Sequence, residues 1–375
     1  MPIAPTIDVA RAVATVDTDV HLRPSGHEEL LEYVAPAHRD RLSRFAEPEQ
    51  LINARRPCHT PLFSGTRVEA TGPNGEAPGS DRDLVRRQLL GEAGVDLAMI
   101  TPLVAHPTDP VLNLALTTAM NAWQAETWLK RDGAQFFGGI CVPLDDVAAA
   151  VREIETWAGH PGFKQVFIAH DSDRPLGHPQ YDPIWEAAAR HGLPVGMHFQ
   201  DSGRLPLGIT PIGHFAQYVE FHAVARPLDY AAHLVSWICN GTFARIPGFR
   251  IAFLEGGFLW HRALLTRLAV NWDERTRWST GPMKHPIACV RDQVRFASQP
   301  MERAPRDRDL VALLELADAE TVLMFSSDYP HYDFDDPRQA LPKGIPDAMY
   351  RRIMSQNAID FYGLPTEVPA EAAVA

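Results

Sequence analysis

Three separated stretches of this 375-residue chain carry side chains of the kinds that bind metal ions. DTDVHL near the start sets Asp19 and His21 two residues apart, GMHF in the middle supplies His198, and SSDYPH late in the chain supplies Asp328. On a β-strand a two-residue spacing puts both side chains on one side, so Asp19 and His21 would face one ligand. Two imidazoles and two carboxylates suit one divalent ion: zinc is favoured, with manganese or iron suited to a site of more oxygen character. Such an ion, with a position left open, lowers the pKa of bound water toward about 7 and polarises a carbonyl or carboxylate oxygen. Glu255, in LEGG, is then the natural general base, and Asp328 is counted with it as catalytic. Each residue also has a plainer reading. His198 alone is a satisfied core histidine, Asp19 and Asp328 alone are turn caps, and Glu255 alone is a buried acid bonded to the N–H groups of Gly256 and Gly257. What favours the metal is their joint placement at the ends of predicted strands.

Short runs rich in Val, Ile and Phe alternate with longer amphipathic stretches, the pattern of repeated βα units around a parallel sheet. Eight strands are predicted: VATVDTDVHL, VDLAMITPL, QFFGGICVPL, GFKQVFIAH, LPVGMHFQ, FRIAFLEGG, QVRFASQ and TVLMFSSDYPH. Helix signals fall between them, as in DDVAAAVREIETWAG, which opens on acidic residues and ends at Gly159, and DPIWEAAARHG, with an Asp-Pro start and a stop at Gly192. The alternation predicts an α/β fold, a (β/α)8 TIM barrel, whose C-terminal strand rim gathers the polar residues. From about Arg39 to Asp83 the chain is rich in turn formers, which predicts a long insertion after the first strand, either a lid or a surface excursion. Residues 1–375 read as one domain, with an ordered core over about 12–362 and a flexible tail over 363–375.

Composition narrows the function. A net charge of −12 argues against a nucleic-acid partner. No apolar run approaches the roughly 20 residues that span a bilayer, and the first residues lack a signal-peptide core, so no membrane partner is expected. The four cysteines, Cys58, Cys141, Cys239 and Cys289, form no CxxC pair, which fits reduced thiols in a cytoplasm.

Taken together, DTDVHLRP, GFKQVFI, PLGHPQYDPIWEAAARHGLPVGMHF, RIPGFRIAFLEGG, FSSDYPH and QNAIDFYGL resemble, in order, the amidohydrolase-related family of metal-dependent hydrolases and decarboxylases that includes aminocarboxymuconate-semialdehyde decarboxylase. The resemblance spans nearly the whole chain. It implies that Asp19 and His21 are the first-strand metal pair, His198 the fifth-strand ligand and Asp328 the eighth-strand ligand, and it implies a homodimer. Two positions depart from the better-known members: Asp-x-His stands for the usual His-x-His, and Glu255 stands for a His before Gly-Gly. The first change makes the site harder and more negative, and the second replaces a ready proton donor by a usual acceptor. The expected activity is therefore hydrolysis of a small, carboxylated, cyclic or unsaturated molecule, with Glu255 as base to a metal-activated water. The alternatives are nonoxidative decarboxylation of a similar substrate, and an inactive barrel that serves as a binding protein.

Three further residues are assigned to substrate contact. His331 lies three residues beyond Asp328, His170 ends the fourth predicted strand, and Arg204 follows His198 in a loop where its planar fork suits a carboxylate. Lys164, which invites comparison with a carbamylated bridging lysine, sits at the wrong end of its strand.

Overall fold

The computed structural model describes residues 11–44, 65–102, 109–130, 135–169, 172, 174–198, 223–224, 226–279 and 281–368. Among them all eight predicted strands form, in shorter spans. They are β1 (Val16–Val20), β2 (Leu97–Ile100), β3 (Phe136–Cys141), β4 (Phe163–Ile168), β5 (Val195–His198), β6 (Ile251–Leu254), β7 (Val294–Ala297) and β8 (Leu323–Met324). They lie side by side in chain order in one sheet, every neighbouring pair parallel. The seam between β1 and β8 is closed by backbone bonds from Thr18 N to Phe325 O (3.1 Å), Asp328 N to Asp19 O (3.1 Å) and His21 N to Tyr329 O (2.7 Å). The result is the expected TIM-type barrel.

The strands are buried almost throughout, as a parallel sheet covered by helices requires. β8 is the shortest relative to its predicted run. Beyond Met324 side chains take over the ladder: Ser298 Oγ accepts from Ser326 N (3.0 Å), and Asp17 Oδ1 accepts from Ser327 N (2.9 Å). Helix starts follow the predicted chemistry at Val147–Trp157, where the Asp146 carboxylate caps Ala149 N at 2.9 Å. At Asp182–Arg190 the aspartate is instead the first helical residue and pairs with Arg245, while Gly192 takes the expected left-handed turn at φ 69°.

Past residue 362 the described chain continues: Gly363 ends helix Asn357–Tyr362, and Glu367–Val368 pairs antiparallel with Arg11–Ala12. Val368 is buried there, and this contact offsets the cost of ordering the segment. The insertion after β1 is also more than a loop, since helix Pro36–Leu42 opens it and the described part from Gly65 onward is fastened to the rim. Thr66 bridges His331, Arg67 N donates to Pro330 O (2.9 Å) and Arg23 N donates to Gly79 O (3.2 Å). Gly79, at φ 81°, packs so closely on the His21 carbonyl that a Cβ would collide with it.

Candidate metal centre

The C-terminal ends of β1, β5, β6 and β8 bring Asp19, His21, His198, Glu255 and Asp328 together, all buried. One ligand-type atom from each of Asp19, His21, His198 and Asp328 lies within 4.8 Å of the others. His21 Nε2 is 2.9 Å from Asp328 Oδ1 and 3.6 Å from Asp19 Oδ1, and His198 Nε2 is 3.9 Å from Asp19 Oδ2. A second overlapping group, His21, Glu255, Asp328 and His331, meets the same limit. Glu255 and Asp328 both hold positive φ, 51° and 62°, a conformation that is unfavourable for residues with a Cβ. Gly256 must be glycine here, because the Tyr230 ring occupies the place of a Cβ and its hydroxyl donates to the Leu254 carbonyl.

Several neighbours fix these side chains. His21 Nδ1 sits 2.7 Å from the Thr101 carbonyl and donates to it, so Nε2 is the nitrogen that faces the centre. Thr101 Oγ1 donates to Asp19 Oδ1 at 2.5 Å. His331 Nδ1 lies 2.7 Å from Asp328 Oδ1. Arg226 donates to Glu255 Oε1, and Glu255 Oε2 stands 2.9 Å from His198 Nε2. Beneath them Asp17 accepts from Ser327 N, from Ser327 Oγ and, at 3.2 Å, from Asp19 N, tying both strand ends to one carboxylate.

The electrostatics call for a cation. Burial pushes the Asp19 carboxyl above the usual range, although His21 and His198 pull the other way. Burial disfavours charge on His21 too, yet Asp19 and Asp328 outweigh it and lift its pKa to about 10. Glu255 is held well below the ordinary range, because Arg226 and then His198 overcome its burial. Burial likewise works against ionised Asp328, and His331 and His21 together more than offset it. Asp19 Oδ2 and Asp328 Oδ2 are buried with no hydrogen-bond partner among the described residues. A divalent ion fits this donor set.

The sequence-predicted site residues fall into three groups. Asp19, His21, His198, Glu255 and Asp328 converge, and His331 joins them through Asp328. Glu255 meets Arg226 and His198 rather than the N–H groups of the following glycines. His170 and Arg204 lie outside the described residues, and Lys164 packs over the Phe137 ring, 5.9 Å from its centroid. Sequence reasoning missed Arg226, Thr101 and Asp17. Asp17 shares strand parity with Asp19 and Thr101 ends β2 at the rim, so both carried a positional signal, whereas Arg226 lies on helix Arg226–Cys239 and carried none.

The barrel and its buried His/Asp centre define a class, and the chain belongs to it: residues 16–364 match the amidohydrolase family. Among solved structures it is similar to an amidohydrolase from Mycobacterium avium subsp. paratuberculosis (20% identity, TM-score 0.68, covering 94% of this chain and 98% of that one). It is also similar to 5-carboxyvanillate decarboxylase from Sphingomonas paucimobilis (18% identity, TM-score 0.66, covering 94% and 100%). A third similar structure is the 5-carboxyvanillate decarboxylase from Novosphingobium aromaticivorans complexed with manganese and 4-hydroxy-3-methoxy-5-nitrobenzoic acid (18% identity, TM-score 0.65, covering 94% and 96%). At these identities the likeness establishes the fold. No helix among the described residues is long and apolar enough to cross a membrane.

Proposed function

We propose that this chain is a metal-dependent, nonoxidative decarboxylase of a small aromatic or otherwise unsaturated carboxylic acid. Asp19, His21, His198 and Asp328 hold the divalent ion, which when bound supplies positive charge to grip the substrate carboxylate and a neighbouring oxygen. The observation that carries the reading is the engagement of Glu255. One of its oxygens is taken by Arg226 and the other faces His198, so no oxygen is left free to accept a proton from water. Hydrolysis with Glu255 as base, the reading the sequence favours, requires that ion pair to open inside a buried site.

Decarboxylation needs a proton donor instead. In R–COO⁻ + H⁺ → R–H + CO2, the C–C bond breaks, its electron pair stays on the ring carbon, and that carbon takes the proton. His331, hydrogen-bonded to Asp328 and the most exposed of the clustered residues at 16%, holds a proton at the mouth and passes it inward. The family match and the aromatic-acid decarboxylases among the similar structures support the same reading. Arg204 and His170 remain assigned to substrate contact, and a reducing cytoplasm suits the free Cys141, Cys239 and Cys289.

The test is an assay of purified protein, reloaded with manganese or zinc, on two panels in parallel: hydroxylated benzoic acids, read by CO2 release, and lactones, esters and amides, read by acid release. CO2 release with one solvent deuteron incorporated at the former carboxyl carbon, reduced by about 10²–10⁴-fold in His331→Asn, is expected. Acid release without CO2 would establish hydrolysis, and a folded, metal-free, inert protein would establish a binding barrel.

A further inference from the structure

Of the four residues proposed as ligands, Asp19 and Asp328 stand on opposite sides of the seam where the barrel closes. One ligand-type oxygen of each lies within 4.8 Å of the other, and two carboxylates at that range repel. β8 ends at Met324, so its strand pairing stops short of Asp328 and only single bonds cross the seam beyond it.

Asp17 reaches across that gap. Its side chain is fully buried, and its Oδ1 accepts from Asp19 N (3.2 Å) on one side and from Ser327 N (2.9 Å) on the other. Its Oδ2 accepts from the Ser327 hydroxyl, whose oxygen in turn accepts from Tyr329 N at 3.1 Å. The residues before and after Asp328 are therefore both tied to one carboxylate, Ser327 directly and Tyr329 through a single hydroxyl. Asp328 holds φ 62°, a conformation that a residue with a Cβ keeps only where its surroundings over-determine it, and the bonds on either side supply that constraint. Asp17 is in neither group of residues that could hold the ion, so it acts through its neighbours.

The other end of β1 offers a matched comparison. Asp96, also buried and just before β2, accepts from Ala14 N (2.7 Å) and Thr15 N (3.1 Å) and fastens the start of β1 away from the centre. Each aspartate thus anchors backbone amides, but only Asp17 anchors those of ligand residues or their neighbours.

We propose that Asp17 is a positioning residue for the metal centre: with Ser327 it fixes where the Asp19 and Asp328 carboxylates stand relative to each other. This inference rests on the metal site proposed above, and the experiment separates the two. Metal-stripped full-length protein is titrated with manganese by calorimetry, the bound ion is recorded by electron paramagnetic resonance, and the melting temperature of each metal-free protein is measured alongside.

The wild type is expected to take up one manganese. Asp17→Ala and Asp96→Ala both leave amides without their acceptor and should melt lower. Only Asp17→Ala should also weaken manganese binding, by about 10–100-fold, and alter the spectrum of the bound ion. Ser327→Ala removes the hydroxyl link alone and should fall near the lower end of that range, which keeps the test open should Asp17→Ala fail to fold. Asp17→Asn keeps an oxygen for both amides and should recover most of the lost affinity. An asparagine variant that binds as poorly as the alanine would make the negative charge, not the positioning, responsible and overturn the proposal. Asp17→Ala and Ser327→Ala proteins with wild-type affinity and spectrum would overturn it too, as would an Asp96→Ala protein that loses as much affinity as Asp17→Ala. A wild type that takes up no divalent ion overturns the site itself, and this inference with it.

Discussion

Where β1 meets β8 the buried side chains include the polar set Asp17, Thr18, Asp19, Ser326, Ser327 and Asp328; where β6 meets β7 they include Phe253 and Phe296, with Trp237, Tyr230 and Trp260 packed outside them. The first region is held by side-chain hydrogen bonds that bridge up to 310 residues of sequence, the second by aromatic faces such as the Phe253–Phe296 stack, 5.7 Å between centroids. A buried polar seam adds little net stability, because each bond replaces one to water. An aromatic flank contributes roughly 1.5–3 kcal/mol per buried side chain. One flank thus stabilises the barrel, while the burial of the other goes into orienting the side chains proposed as ligands.

That contrast can be broken most sharply at Phe253. Phe253→Ala should cost about 3–5 kcal/mol of unfolding free energy in denaturant melts, while the protein that remains folded binds manganese as tightly as the wild type. Loss of metal affinity by the folded protein would show that the two regions are not separable.

The next effect is a pH response of the aromatic flank. His261 stacks on Phe296 at 4.4 Å, its Nδ1 donates to Phe258 O at 2.6 Å, and burial lowers its pKa to about 4. Between that value and the ordinary 6.5 the unfolded chain binds the proton and the folded chain does not. The stability associated with neutral His261 is therefore intact above about pH 6.5 and falls as pH drops toward 4, by on the order of 3 kcal/mol at most. Denaturation midpoints at pH 7 and 4.5 should differ less in His261→Asn than in the wild type; equal slopes would place the acid sensitivity elsewhere.

The smallest effect sharpens the comparison from the polar side. Thr101→Val removes the bond to Asp19 and keeps the carbonyl that holds His21. Manganese affinity should fall by roughly 10–100-fold with the melting temperature of the metal-free protein nearly unchanged. A large drop in that temperature with affinity intact would make the seam a stabilising element rather than an aiming one.

Much of this architecture was legible locally. Eight apolar runs became eight strands, because burial on both faces imposes a composition that can be read without neighbours. The Asp19–His21 spacing already implied a shared face, and His198 and Asp328 stood out as polar residues closing apolar runs. The ordered segment after Tyr362 was not legible, since its small, Pro-containing sequence is held by pairing with Arg11–Ala12 at the other end of the chain.

The sequence by itself determined which strands form and which residue types close them, since strand period and burial are properties of a few consecutive residues. Only the tertiary structure decided what those residues meet: Thr101 comes to Asp19 across 82 positions, Arg226 to Glu255 across 29, and Asp17 to Ser327 across 310. The physical reason is that hydrogen bonds and ion pairs depend on distances of about 3 Å, and barrel closure sets those distances. Glu255 depends most on that difference: its sequence suggests a free base, and its folded surroundings hold it between a guanidinium and an imidazole.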